Sequence, residues 1–253
     1  MNKPLLPLLS SLALILIVLG CASQRKEPNS ADLYPSADAK VKYHNNWTEN
    51  HYRQRIAAFR EDPLEVGDIV LVGNSITEQG RDWSEKFGVA HVRNRGIAGD
   101  VTDGVLARLD ELVYYKPRAV FLLIGINDLF NYHHEAHGRP DLLYEHTIPS
   151  PTYVGENIVN IAQTLHKRLP ETRTFVCTVL PTRRDFLKVD ILKVNQILQE
   201  QEAANPYELI DLHAAFVDEN GDMEESLTRD GVHLTPAGYQ RWVEVVQPII
   251  KAL

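Results

Sequence analysis

From about Val41 onward the chain alternates short β-type runs with stretches of helical periodicity, and this order limits its fold more than any other feature of the 253 residues. Residues 68–72, 90–94, 119–124, 174–180 and 208–211 read as strands, being short, rich in β-formers and bounded by turn residues. Between them, Val101, Val105, Leu109 and Leu112 mark one helical face and Ile158, Ile161, Ala162, Leu165 and Leu169 another. Ile191, Val194 and Leu198 suggest a third helix, and Trp242, Val245, Val246 and Ile249 a fourth near the C-terminus. Consecutive strands joined by helices must run parallel, because each crossover returns the chain to the same edge. The expectation is an α/β protein with a five-stranded parallel sheet covered by helices on both faces. The continuously apolar run from Val120 to Ile124 suits a strand buried on both sides.

The N-terminus is read separately. Lys3 precedes an apolar stretch, residues 5–19, that is shorter than the roughly 20 residues a membrane span needs. It reads as a secretory signal. Its end, Val18-Leu19-Gly20-Cys21, resembles the lipobox of bacterial lipoproteins, which implies cleavage before Cys21 and a lipid on that cysteine. The expected organisation is a signal peptide over 1–20, a flexible tether over 21–40 that is polar and without apolar periodicity, and a catalytic-sized domain over 41–253. Such a protein would sit in a bacterial cell envelope, anchored to a membrane through Cys21. The other cysteine, Cys177, lies in a β-rich run and reads as a small core side chain. With 26 Lys and Arg against 34 Asp and Glu, the net charge of −8 supplies no basic field for nucleic acid.

In a parallel sheet of this kind the ligand site lies beyond the carboxyl ends of the strands, so the residues that follow each strand carry the chemistry. Ser75 follows the first strand, where a tight turn into a helix exposes a hydroxyl. His233 can take its proton, and Asp230, three residues earlier, can hold the imidazole in the right tautomer. The Ser75 N–H, a Gly96 N–H and the Asn127 amide are candidate donors to an oxyanion. Taken singly, Ser75 reads equally well as a helix cap, His233 as a surface histidine, Asn127 as a turn residue and Gly96 as a site of positive φ. Their arrangement after successive strands favours a nucleophile, its base and its oxyanion donors.

The blocks Gly73-Asn74-Ser75-Ile76-Thr77, Asn94 to Asp100, Gly125-Ile126-Asn127-Asp128 and Asp230-Gly231-Val232-His233-Leu234 resemble those of the SGNH, or GDSL, hydrolases. The resemblance runs from about Val66 to Tyr239. Within the family it is nearest the brain-type platelet-activating-factor acetylhydrolase catalytic subunits and bacterial carbohydrate or sialate O-acetylesterases. It implies a flavodoxin-like three-layer α/β/α sandwich and a Ser75–His233–Asp230 triad with Gly96 and Asn127 at the oxyanion. Asn74 stands where the family usually has Asp, keeping the shape and losing the charge.

The expected activity is a cofactor-free serine esterase that removes small acyl groups, above all acetyl, from carbohydrate or sialic acid esters. A lipase, lysophospholipase or thioesterase with a longer acyl pocket is the alternative among enzymes, and a non-catalytic glycan-binding lipoprotein the alternative outside them. Asn74, Arg183 and Arg184 are candidate substrate contacts, the arginines for a carboxylate or as ordinary solvated charges. His133 and His137 have i, i+4 spacing, but Pro140, Pro149 and Pro151 oppose a regular helix there, so the segment reads as a loop beside the pocket and not as a metal site.

Overall fold

A computed structural model describes residues 33–134 and 143–253. Its sheet comprises β1 (Ile69–Gly73), β2 (Val92–Gly96), β3 (Ala119–Leu123), β4 (Arg173–Cys177) and β5 (Glu208–Ile210). All are parallel, in the order β2-β1-β3-β4-β5. The helices are α1 (Asn46–Glu61), α2 (Ser75–Gln79), α3 (Trp83–Phe87), α4 (Thr102–Leu106), α5 (Asp110–Tyr115), α6 (Ile126–Tyr132), α7 (Pro151–Arg168), α8 (Lys188–Glu202), α9 (Leu212–Phe216) and α10 (Pro236–Lys251). This is the flavodoxin-like order, in which the connections leaving β1 and β3 turn to opposite sides and open a crevice at their carboxyl ends.

Side-chain alternation along the strands divides the interior into two cores. Val70, Val72, Val120, Leu122 and Val176 pack beneath α1, α7 and α8, while Ile69, Leu71, Phe121, Phe175 and Cys177 face α3, α9 and α10. Cys177 is fully buried, and desolvation pushes its thiol up to about 12, in keeping with an inert core side chain.

Strands β1 and β2 begin one and two residues later than the sequence reading placed them, and three further departures shape the domain. Val101, Val105, Leu109 and Leu112 are all buried, but they lie along two short helices, α4 and α5. The turn between these helices lets the Arg108 guanidinium reach back to Asp100 Oδ2 and to the carbonyls of Arg95 and Gly73. The fourth strand stops at Cys177 because Val179 pairs with the Asn195 side chain instead of a neighbouring strand. Finally, the folded body reaches back into the 21–40 segment: Leu33 and Tyr34 are buried, and the Tyr34 hydroxyl donates to Glu111 Oε1 at 2.9 Å. The segment 1–20, read from the sequence as a signal peptide, and Cys21 lie outside the described residues. Among the described residues no helix is long and apolar enough to cross a membrane.

Candidate active site

β1 ends in Gly73, where a Cβ would fall 2.3 Å from both Leu123 O and Thr77 Oγ1, so only glycine lets the chain turn so tightly into α2. Asn74 caps that helix, its Oδ1 accepting the Ile76 N–H at 3.0 Å. Ser75 is therefore the first residue of α2, a position whose N–H has no intrahelical acceptor. Asn74 itself is buried beside Ile124, Ile126 and Val179 and does not line the cleft that Ser75 faces. In this chain a neutral amide does the capping, and Asn74, read from the sequence as a candidate substrate contact, is placed beneath the cleft and not in its lining.

His233 comes to Ser75 from the loop before α10. Its Nε2 lies 3.1 Å from Ser75 Oγ, and its Nδ1 lies 2.7 Å from Asp230 Oδ2. The i, i+3 spacing works because Asp230 Oδ1 accepts the N–H groups of Val232 (3.0 Å) and His233 (2.8 Å), folding the loop back on its own side chain. Gly231, with φ of +86°, makes that reversal, and Thr228 fastens it by accepting the Gly231 N–H and donating to His233 O. Partial burial raises the Asp230 pKa, but the hydrogen bonds from the His233 backbone and ring and from Val232 outweigh it and hold the carboxyl below its ordinary range. An ionised Asp230 fixes the ring proton on Nδ1 and leaves Nε2 as the acceptor for the Ser75 hydroxyl.

Gly96 and Gly99 occupy different positions. Gly96 closes β2 opposite Gly73, its N–H donates to Asn94 Oδ1 at 2.9 Å, and a Cβ there would lie 2.2 Å from Glu78 N. Its glycine serves the close packing of α2 on β2, and its N–H is not available to a ligand. Gly99, with φ of +79°, lines the cleft beside Ser75 and Asn127, and its N–H makes no hydrogen bond among the described residues. Asp100 anchors this loop from a fully buried position, paired with Arg108 (3.0 Å) and His44 (3.2 Å). Asn127, in α6, donates one amide hydrogen to Asp100 O at 2.9 Å and keeps a second for the cleft.

The cleft holds about 520 Å³ and includes Trp47, Phe130, Tyr144 and Arg184 in its walls. Arg184 donates to Asp230 O at its edge, whereas Arg183 turns away to Met223 O and Asp218. Phe130 reaches the cleft wall from α6 itself, and Tyr144 reaches it from the connection between α6 and α7. His133 pairs with Asp190 at 2.6 Å, and His137 lies outside the described residues. Among the described residues, side chains of metal-ligating type gather at Glu65, Asp68 and His91, next to the amino ends of β1 and β2 and thus at the opposite edge of the sheet. A groove of about 730 Å³ along the edge strand β2 contains paired charges such as Arg93–Asp62, and its Ser84 hydroxyl is committed to the Val92 backbone.

The fold is an α/β doubly wound parallel sheet, with a serine, a histidine and a carboxylate in hydrogen-bonded sequence at its switch point, an arrangement that suits acyl transfer. The chain belongs to the GDSL-like lipase/acylhydrolase family, whose profile matches residues 70–241. It is 28% identical over 228 residues to the human platelet-activating factor acetylhydrolase IB subunit alpha2, an alignment covering 87% of this chain and 90% of that one. A GDSL-like lipase from Bacteroides thetaiotaomicron has a similar structure, with a TM-score of 0.64 at 22% identity, covering 80% of this chain and 98% of that one. An acetyl-xylooligosaccharide esterase from Geobacillus stearmophilus superposes with a TM-score of 0.59 at 16% identity, covering 74% and 96%. The protein is accordingly an ester-acting hydrolase of this family.

Proposed function

We propose that the protein is a serine esterase that removes acetyl groups from carbohydrate or sialic acid esters and works at a membrane surface through a lipid on Cys21. The observation that carries this reading is the continuous hydrogen-bonded chain from Asp230 Oδ2 through His233 to Ser75 Oγ at an open cleft. Ser75 Oγ attacks the ester carbonyl as His233 Nε2 takes its proton. The oxyanion that forms meets the N–H groups of Ser75 and Gly99 and the free amide hydrogen of Asn127. Collapse of the adduct expels the alcohol, protonated by His233. The same imidazole then activates the water that frees the acyl group. Support for acetyl comes from the names of the human acetylhydrolase relative and the bacterial acetyl-xylooligosaccharide esterase.

One fractionation experiment tests the whole reading. Cells expressing the wild type should release acetate from acetylated glycans in the membrane fraction, cells expressing Cys21→Ser in the soluble fraction, and cells expressing Ser75→Ala in neither. Undiminished hydrolysis by Ser75→Ala removes the nucleophile assignment, and Cys21→Ser activity that stays with the membrane removes the anchor. A preference for octanoyl over acetyl esters replaces the acetylesterase reading with a longer acyl pocket.

A further inference from the structure

Trp47 is a large apolar side chain left 42% exposed, and it is also held rigidly in the wall of the Ser75 cleft. It sits in the first turn of α1, whose start is fixed by a reciprocal pair of hydrogen bonds between Asn45 and Thr48. Its indole lies flat on the His51 imidazole, with centroids 5.3 Å apart and planes 6° from parallel. His51 Nε2 is in turn held by Glu78 Oε2 at 2.9 Å, and Glu78 belongs to α2, three residues after Ser75. The Glu78 carboxylate also accepts the Ala98 N–H, and a Cβ at Gly99 would lie 3.0 Å from the Trp47 ring. The indole, the nucleophile helix and the Gly99 loop are thus braced as one unit.

An indole fixed in this way has given up rotamer freedom without burying its open face, so that face gains little from folding and is pre-organised for a ligand. We propose that Trp47 is a stacking platform for the sugar ring of the substrate's alcohol part, which makes it a specificity-determining residue of the esterase site. The proposal rests on the acetylesterase reading above and deepens it. A pyranose ring presents an apolar C–H face bordered by hydroxyls. The cleft offers the complement, a flat aromatic surface with Gln79 and Arg184 on the same walls. Arg184 spends two N–H groups on the carbonyls of Asp230 and Arg183 and retains three for hydroxyl acceptors. An alkyl chain laid on the same surface would desolvate those polar groups without pairing them.

The test compares an acetylated xylo-oligosaccharide with ethyl acetate, which has no ring to stack. Trp47→Ala lowers the ratio of kcat/KM on the oligosaccharide to that on ethyl acetate by about tenfold, chiefly through KM, and Trp47→Phe recovers most of it. In the Ser75→Ala background, where the ligand is not turned over, calorimetry shows the oligosaccharide Kd rising about tenfold on Trp47→Ala and largely restored by Phe. Equal losses on both esters, or a Kd unmoved by Trp47→Ala in protein with an unchanged Tm, overturn the platform. If the wild type hydrolyses neither ester yet binds the oligosaccharide in a Trp47-dependent way, the esterase reading fails and the platform stands.

Discussion

At the scale of single residues, Asp230 illustrates how much three hydrogen bonds accomplish at an exposed position. Its carboxyl lies below the ordinary range despite partial burial, so it stays ionised further into acid than an ordinary carboxylate would. Asp230→Asn keeps an Oδ1 to accept the Val232 and His233 N–H groups, so the loop retains its shape. It removes the charge beside the imidazolium and permits the wrong tautomer, and kcat on ethyl acetate should fall by roughly 10³-fold. A loss of only a few-fold with the same pH profile would reduce the machinery to a Ser75–His233 dyad. That Ser75, Asp230 and His233 come within hydrogen-bond reach of one another was legible in the sequence, because Ser75 sits at a helix start and Asp230 and His233 share one turn. The role given to Gly96 was not legible correctly. Either glycine of Gly96-Ile97-Ala98-Gly99 suits a tight loop, and the choice rests on the Asn94 side chain taking the Gly96 N–H, a contact with no signature in the chain. Trp47 escaped notice for a related reason, since one aromatic at a helix start reads as core until its exposure is known.

At the scale of elements, the central strands β1 and β3 were legible to within one residue because burial on both faces writes a continuous apolar run, whereas the edge strand β2, Val-Arg-Asn-Arg-Gly, has no such run and was placed two residues early. Strand ends are not legible where side chains from other elements set them. Asn195 in α8 shows this at the end of β4: its Oδ1 accepts the Val179 N–H at 2.7 Å and its Nδ2 donates to Val179 O at 2.9 Å, so a side-chain amide replaces a neighbouring strand. The clamp holds α8 against the segment leading to Arg184 at the cleft edge. Asn195→Leu, similar in size, leaves both Val179 backbone groups buried and unpaired at a cost of about 2–4 kcal/mol. Thermal unfolding should then begin roughly 5–10 °C lower. A shift within about 1 °C would mean that Val179 finds other partners and that the clamp is dispensable.

Across the whole molecule, the two halves of the crevice are joined by a carboxyl that the catalytic reading does not use. Asp128 follows Asn127 in α6, is fully buried, and accepts hydrogen bonds from the Thr102 N–H (3.1 Å) and hydroxyl (2.6 Å) at the start of α4. Desolvation dominates over these hydrogen bonds and raises its pKa from 3.8 to about 7. Below pH 4 the group is protonated in both folded and unfolded chains and has no differential effect. Between about pH 4 and 7 the unfolded chain releases this proton while the folded one retains it, so stability falls as pH rises, and above 7 the penalty is complete. Asp128→Asn keeps an oxygen for Thr102 and carries no charge at any pH. The difference in Tm between variant and wild type should therefore move in the variant's favour as pH rises from 4 to 8, by roughly 5 °C or more. Comparing the two proteins at each pH cancels groups that titrate in the opposite sense, such as Asp230 and Asp218. A Tm difference that is flat across that range would place the Asp128 carboxyl as an ordinary ionised partner of Thr102 and leave the junction between α4 and α6 insensitive to pH.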